Sequence, residues 1–181
     1  MHIIAGRFRG RRLEYVSTAE LRPASQKVRS AVFNILQQRI EGARVLDVFC
    51  GTGSIGLEAL SRGAAHVDFV DRDTSLVGRN VRALGVESEV EVFRKDARQA
   101  VEIIVHKGKR YGFVFVGAPY DFPATPEVIE RIGQGGVVEP GGALMFEHRN
   151  RTLPAERHGR LVLRKRYTYG QTVLSLYEPE P

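Results

Sequence analysis

The stretch that decides the fold of this chain reads Val45-Leu46-Asp47-Val48-Phe49-Cys50-Gly51-Thr52-Gly53-Ser54-Ile55-Gly56. It is an apolar segment with an acid close to its end, followed by a glycine-rich turn and the start of a helix. A strand that passes through such a turn into a helix is typical of α/β proteins that bind ligands at the carboxyl edge of a parallel sheet. The stretch therefore predicts an α/β fold with a ligand site at the turn.

The hydrophobic pattern on both sides of this stretch alternates between strands and helices. The predicted parallel strands are Arg44 to Phe49, His66 to Asp71, Val90 to Arg94, Tyr111 to Val116 and Ala143 to Glu147. Helices are predicted to begin near Ser54, Thr74, Asp96 and Pro126, and the tail predicts an antiparallel hairpin formed by Gly159 to Tyr169 and Gln171 to Tyr177. Ahead of the sheet, we expect a small hairpin formed by His2 to Ala5 and Leu13 to Val16, then a helix from about Ser25 to Gln38. Right-handed crossovers between the strands predict a Rossmann-like, mostly parallel seven-stranded sheet whose strand order reverses beside the first strand.

Length and composition limit the class of protein. With 181 residues, of which 43% are hydrophobic, the chain can form one compact core but not two large domains. We divide it into a basic N-terminal arm, residues 1–42, and a main domain, residues 43–181. The single cysteine, Cys50, excludes a disulfide framework and a thiolate zinc site, and the five histidines lack metal-ligand spacing, so we expect no metal. No segment has the length and apolarity of a membrane span, and no secretory signal is recognised, so the sequence predicts a cytoplasmic protein.

The positive charge of the chain is concentrated near its N-terminus. Residues 1–30 contain seven Lys or Arg and two acids, and they carry +5 of the net charge of +6. Such a concentration favours a polyanionic partner, because basic side chains that neutralise phosphates release condensed counterions. The alternative is a solvated charged edge that protects a strand from aggregation. The candidate RNA-binding residues are Arg7, Arg9, Arg11, Arg12, Lys27 and Arg29.

Acidic residues lie at the ends of three consecutive predicted strands, at Asp47, Asp71 and Asp96. Because the carboxyl ends of parallel strands meet at one edge, we expect these acids to share a cleft. Asp71 can accept hydrogen bonds from both ribose hydroxyls, and Asp96 can accept one from an adenine amino group. Asp47 would repel a pyrophosphate but attract the ammonium and sulfonium groups of S-adenosylmethionine. The pattern favours that methyl donor; a small NAD(P)-dependent oxidoreductase, and acids that only cap helices, are the alternatives.

Several stretches, taken together, resemble a known family. They read Ile3-Ile4-Ala5-Gly6-Arg7-Phe8-Arg9-Gly10-Arg11-Arg12-Leu13, Leu21-Arg22-Pro23, Val28-Arg29 with Phe33-Asn34, and Leu46 through Ala64. These stretches resemble the RsmD-type methyltransferases of bacterial 16S ribosomal RNA, and the likeness covers nearly the whole chain. The resemblance implies a class I S-adenosylmethionine-dependent methyltransferase fold and transfer of a methyl group to the exocyclic N2 of one guanine. It implies small-subunit rRNA in an assembling 30S particle as the partner, and we expect a monomer with no membrane contact.

The same resemblance assigns the residues of the donor site. It implies that the methionine end of the donor is surrounded by Asp47, Phe49, Gly51 and Gly53. It places the ribose at Asp71 and the adenine at Asp96 and Ala97, with Arg72 in the same set. Arg22 and Pro23 should border this pocket.

The segment after the fourth strand departs from the family pattern. Where the family has Asp or Asn, then Pro, Pro and an aromatic residue, the candidate catalytic residues here read Gly117-Ala118-Pro119-Tyr120. A guanine amino nitrogen is a poor nucleophile, so its N–H groups need hydrogen-bond acceptors, and Gly117 has no side chain to supply one. The Ala118 carbonyl could supply another acceptor and Tyr120 could stack on a flipped base, while Asp121 is read as a turn residue rather than a substitute acceptor.

The sequence therefore predicts intact donor binding with weak or absent turnover. The alternative is a non-catalytic RNA-binding or ribosome-assembly factor that retains donor binding.

Overall fold

The computed structural model describes residues 1–16, 25–120 and 122–180, and within these residues eight strands form one sheet. Their bounds are β1 Arg44–Val48, β2 His66–Asp71, β3 Val90–Arg94, β4 Tyr111–Val116, β5 Val138–Arg149, β6 Arg157–His158, β7 Leu161–Tyr169 and β8 Thr172–Pro179. The strand order is β3-β2-β1-β4-β5-β8-β7-β6; β1 to β5 are parallel, and β8 is antiparallel to both of its neighbours. The predicted Rossmann-like topology is confirmed, with the reversal of strand order between β1 and β4.

Helices cover both faces of the sheet. Their bounds are α1 Gln26–Leu36, α2 Ser54–Ser61, α3 Ser75–Leu84, α4 Ala97–His106 and α5 Thr125–Gln134. Residues of α1, α2 and α3 pack in one apolar cluster, and residues of α4 and α5 pack in a second cluster on the opposite face. Successive β1 residues alternate between the clusters, since Val45 belongs to the first and Leu46 to the second. This burial on two faces explains why β1 is continuously apolar.

The glycines of the turn after β1 permit close packing of α2 on the sheet. Gly53 has φ of +75°, and a Cβ there would lie 2.5 Å from Val77 Cγ2. A Cβ on Gly56 would lie 2.3 Å from Cε1 of the Phe69 ring on β2. Larger residues at these two positions would push α2 away from the sheet, so the glycines fix where the turn lies.

The C-terminal part of the sheet differs from the sequence prediction in two ways. The strand β6 adds an eighth strand to the predicted seven, and β5 begins at Val138 instead of Ala143. A two-residue strand shows no alternation that could be recognised in a sequence. The start of β5 was hidden by Pro140, Gly141 and Gly142, which are typical of a turn, although Val138 already pairs with Tyr111.

The N-terminal arm also differs from the prediction. Instead of two strands, residues 1–16 form a single antiparallel bridge, between His2 and Arg12. The arm is held by α2, because both carboxylate oxygens of Glu58 accept from its backbone, from Ile4 N–H at 2.7 Å and Ala5 N–H at 3.0 Å. The two predicted segments still exchange backbone hydrogen bonds, from Ile3 N–H to the Arg11 carbonyl at 3.0 Å and from Leu13 N–H to the Met1 carbonyl at 2.8 Å. The residues we assigned to the arm share the first apolar cluster with the main domain.

No helix in the part of the chain that the structure describes has the length and apolarity needed to cross a membrane.

Candidate active site

The glycine turn and the end of β2 are joined by Asp71. Its Oδ2 accepts a hydrogen bond from Gly51 N–H at 2.9 Å, and its Oδ1 accepts one from Asp73 N–H at 3.2 Å. The turn also contains a strained residue, since Phe49 has φ of +62°, a left-handed conformation that costs a non-glycine residue on the order of 1 to 3 kcal/mol. The two strand ends and the strained turn thus form one rigid corner at the carboxyl edge of the sheet.

Asp47 does not face an open cleft, contrary to our expectation. Its side chain is 2% exposed, and its Oδ2 accepts a hydrogen bond from Gly56 N–H at 3.0 Å. The pKa of Asp47 is raised to about 7, mainly by burial and also by the nearby carboxylate of Asp71, while the Gly56 hydrogen bond acts in the opposite direction. Asp47 and Asp71 hold the same turn, because Asp47 accepts from Gly56 N–H and half-buried Asp71 accepts from Gly51 N–H.

Asp96 is engaged from two sides. Its Oδ1 accepts from Arg98 N–H at 3.0 Å and so caps α4, and its Oδ2 forms an ion pair with Arg72. The hydrogen bonds from Arg72 and then Arg98 lower the pKa of Asp96 to about 2. An adenine amino group would therefore have to displace Arg72 to reach this carboxylate. The neighbouring Ala97 is buried, and an open groove of about 470 Å³ extends from the ion pair along α4 and α5.

The segment that follows β4 lies at the same edge, beside the glycine turn. Gly117 N–H donates to the carbonyl of Val48, the last residue of β1, at 3.1 Å. Ala118 is buried, and Pro119 is exposed. A Cβ on Gly117 would lie 2.7 Å from Cε1 of Phe115, so a side chain at this position requires that ring to move.

Tyr120 is fixed by residues of the antiparallel strands. Its hydroxyl lies 3.1 Å from Thr172 Oγ1 and donates to Glu147 Oε1 at 3.3 Å, and the Arg149 guanidinium lies 4.8 Å from its ring centroid. Thr172 pairs across the hairpin with Tyr169, and an open groove of about 560 Å³ lies between Tyr169 and α1. The predicted stacking residue is thus held by the hairpin whose residue Tyr169 lines this groove.

Several residues of this site were not recognised in the sequence. Glu147, Arg149 and Thr172 carry no local motif, and only their register on β5 and β8 brings them to Tyr120. Phe122 was also missed; its ring makes an edge contact with the Phe49 ring, with 5.5 Å between the centroids. Predicted site residues Arg22 and Pro23 lie outside the described residues, as does Asp121.

The predicted RNA-binding residues divide into two groups. Five of the six are exposed, namely Arg7, Arg9, Arg11, Arg12 and Lys27. Two of these have partners, because Arg7 forms an ion pair with Glu89 and Arg11 donates to the carbonyl of Ala83 at 2.7 Å.

Arg29 is a correction to that set. Its side chain is 2% exposed and donates to the carbonyl of His2 at 3.1 Å. It faces the core because α1 presents it on the same side as Val28 and Val32, and its charge interacts with buried Glu58. A phosphate cannot reach it, so Arg29 stabilises the arm instead of contacting RNA.

In the described ranges 1–16, 25–120 and 122–180, no group of three or more His, Cys, Asp or Glu could hold a metal ion. The sheet topology, the glycine turn tied to Asp71, and the Pro119-Tyr120 end of β4 together define the class of protein. It has the α/β fold of S-adenosylmethionine-dependent methyltransferases.

Comparison with known proteins identifies the family. A family model described as "Conserved hypothetical protein 95" matches residues 1–178. The protein YlbH of Bacillus subtilis (strain 168) is 32% identical over 98% of this chain and 98% of its own length. Ribosomal RNA small subunit methyltransferase D of Escherichia coli (strain K12) is 29% identical over 99% of this chain and 90% of its own length.

A solved structure agrees with these sequence matches. The protein yhhF from Escherichia coli superposes with a TM-score of 0.85 at 29% identity, covering 99% of this chain and 98% of the other. The chain belongs to the RsmD-type methyltransferase family that its sequence resembles.

Proposed function

We propose that this protein transfers a methyl group from S-adenosylmethionine to the exocyclic N2 of a guanine in small-subunit rRNA. The proposal includes a monomer that acts on an assembling 30S particle. The observation that carries it is the meeting of the glycine turn, Asp71 and the Pro119-Tyr120 segment at one edge of the sheet. The name of the Escherichia coli relative, ribosomal RNA small subunit methyltransferase D, supports the substrate.

The residues at this edge suit the methyl donor. When bound, S-adenosylmethionine supplies an electrophilic methyl group on a positively charged sulfur. Asp71, together with Asp47 once the pH exceeds its pKa of about 7, gives the corner a negative potential that favours this charge, and Asp71 is placed to accept from ribose hydroxyls. A dinucleotide pyrophosphate would be repelled by the same pair. Calorimetry should therefore detect binding of S-adenosylmethionine and no binding of NAD; the reverse result would favour an oxidoreductase.

In this proposal, the segment that follows β4 holds the target base. Tyr120 offers an aromatic face for a flipped guanine, and the carbonyl of Ala118 offers one acceptor for its amino group. Gly117 offers no side-chain acceptor. This loss is the specific observation that favours a second function, a ribosome-assembly factor that binds RNA and the donor but transfers no methyl group.

A methyl-transfer assay separates the two functions. The protein is incubated with radiolabelled donor and undermethylated small subunits, beside a Gly117→Asp, Ala118→Pro double variant. We expect label in a guanine with both proteins and more of it with the variant. Label with the double variant alone would favour the assembly factor, and label with neither, despite donor binding, would contradict the proposed substrate.

The exposed arginines of the arm predict a salt-dependent affinity for RNA. Replacing Arg9 and Arg12 by alanine removes two charges, so the slope of log affinity against log salt should fall by about 0.7 for each lost phosphate contact. Affinity should weaken for all sequences alike, because phosphate contacts carry no sequence information. Filter binding at several salt concentrations measures both effects. The control is Arg157→Ala. Arg157 is an exposed arginine of β6 that pairs with Glu180, and its replacement should leave the slope unchanged.

A further inference from the structure

The ends of β4 and β5 place Glu147 beside Gly117. The two strands are parallel neighbours, with Phe115 opposite Met145 and Val116 opposite Phe146. Gly117 and Glu147 are the next residues along each strand, so their backbones lie side by side at the carboxyl edge of the sheet.

The two positions also belong to the same face of the sheet. Phe115 and Met145 both pack in the first apolar cluster, and residues two further along return to that face. In agreement, a Cβ built on Gly117 would meet the ring of Phe115. The family's Asp or Asn would project from position 117, directly after β4. Glu147 projects from the neighbouring strand β5, on the same face of the sheet.

The Glu147 carboxylate is directed to the target end of the site. Its Oε1 accepts from the Tyr120 hydroxyl at 3.3 Å, and Tyr120 is the aromatic residue of the catalytic segment. The side chain is half-buried at the edge of the sheet, and its backbone is fixed by pairing with Leu174 of β8. An ionised carboxylate only accepts hydrogen bonds, so it suits a base edge that carries N–H donors. Guanine has such an edge, where its amino group lies next to a ring N–H.

We propose that Glu147 is the side-chain acceptor for the guanine amino group in this protein and takes the place of the residue missing at Gly117. This inference rests on the proposed function and adds a catalytic residue to it. One amino N–H donates to the Glu147 carboxylate, and the other donates to the Ala118 carbonyl.

The transfer step balances with these groups. The nitrogen lone pair forms the new bond to the methyl carbon, and the bond from that carbon to sulfur breaks with its electrons on sulfur. The positive charge passes from sulfur to nitrogen, and the amino proton held by Glu147 leaves to that carboxylate and then to water. The neutral products are the methylated guanine and S-adenosylhomocysteine.

The first test measures base recognition without the methyl donor. Two RNA hairpins, identical except for a single loop guanine or inosine, are titrated against the protein by fluorescence anisotropy; inosine lacks the exocyclic amino group. We expect the protein to bind the guanine hairpin about 10-fold more tightly, as loss of one charge-assisted hydrogen bond implies. Glu147→Gln keeps only a neutral acceptor beside the Ala118 carbonyl, so its preference for guanine should be clearly smaller, and an undiminished preference would overturn the inference.

The second test measures turnover. Glu147→Gln should lower kcat about 100-fold while leaving donor affinity and the melting temperature unchanged. Thr172→Val is the matched comparison, because it removes another hydrogen-bond partner of the Tyr120 hydroxyl but keeps the carboxylate. A similar loss in both variants would mean that Glu147 only positions Tyr120, and the inference would fall.

Two further variants locate the carboxylate. Gly117→Asp in the Glu147→Gln background returns an acceptor to β4 and should recover at least part of kcat, after the Phe115 ring has moved to make room. Asp121→Asn should leave kcat unchanged, and a loss confined to this variant would assign the acceptor to Asp121 instead. Full turnover by Glu147→Gln would sink the inference and leave the proposed function intact. Absence of turnover by the unaltered protein would contradict both the proposed function and the catalytic role of Glu147. The hairpin titrations would then be the test of whether Glu147 recognises the base.

Discussion

Replacing Glu58 by alanine is expected to lower the free energy of unfolding by about 3 to 5 kcal/mol, the usual loss when one partner of a buried ion pair is removed. The Glu58 side chain is fully buried and accepts from two backbone N–H groups of the arm and from Arg62 Nε at 2.8 Å. It also compensates the charge of Arg29, whose Nε and Nη1 have no hydrogen-bond partner among the described residues. Alanine would leave these donors unpaired in the core.

Urea denaturation followed by circular dichroism measures this loss. The melting temperature should fall by about 6 to 20 °C for a chain of this size. Glu87→Ala is the control, because Glu87 is exposed, and it should change stability by less than about 0.5 kcal/mol. A loss below about 1 kcal/mol for Glu58→Ala would show that the arm does not depend on this carboxylate.

Replacing Asp47 by asparagine is expected to stabilise the protein above neutral pH. The folded protein holds the pKa of Asp47 at about 7, mainly through burial, whereas the ordinary value is 3.8. Between these values the folded state keeps a proton that the unfolded state has released, so the stability of the unaltered protein falls as pH rises through this window. At about 1.4 kcal/mol for each unit of pKa, the fall is about 4 kcal/mol in total. Asparagine does not titrate, and its oxygen can still accept from Gly56 N–H.

Unfolding measured from pH 4 to pH 8 tests this prediction. The two proteins should be about equally stable near pH 4, and the asparagine variant should gain by about 4 kcal/mol at pH 8. Asp73→Asn is the control; hydrogen bonds to Ser75 lower the pKa of this exposed acid, so its replacement should give no gain. A difference in stability between the two proteins that does not vary with pH would contradict the raised pKa of Asp47. The variant should bind S-adenosylmethionine less tightly at pH 8, because the charge that attracts the sulfonium is lost.

The regular elements were predictable because their signals are local. The strands β2, β3 and β4 have the predicted bounds, and α3 shows its apolar spacing in Leu76, Val77, Val81 and Leu84. Local sequence signals failed where a segment's structure depends on pairing with a distant segment and not on its own hydrophobic pattern. The two-residue strand β6 depends on β7, and residues 1–16 form one bridge while Glu58 on α2 binds the backbone of Ile4.

The candidate site was predictable in position but not in chemistry. The glycine turn and Asp71 lie where the strand ends predicted, and their hydrogen bond joins them. The pKa of each acid depends on what surrounds it. Burial raises the pKa of Asp47, while the ion pair with Arg72 lowers the pKa of Asp96. Burial and ion pairing arise from residues distant in the sequence, so no motif reports them.

The amino-acid sequence by itself determined the sheet, its ligand-binding edge and the family, since alternating apolar segments and a glycine turn are properties of consecutive residues. Only the tertiary structure decided that Arg29 belongs to the core and that Glu147 reaches Tyr120 beside Gly117. The physical reason is the register between β4 and β5, which brings Gly117 and Glu147 together across 29 residues of intervening chain.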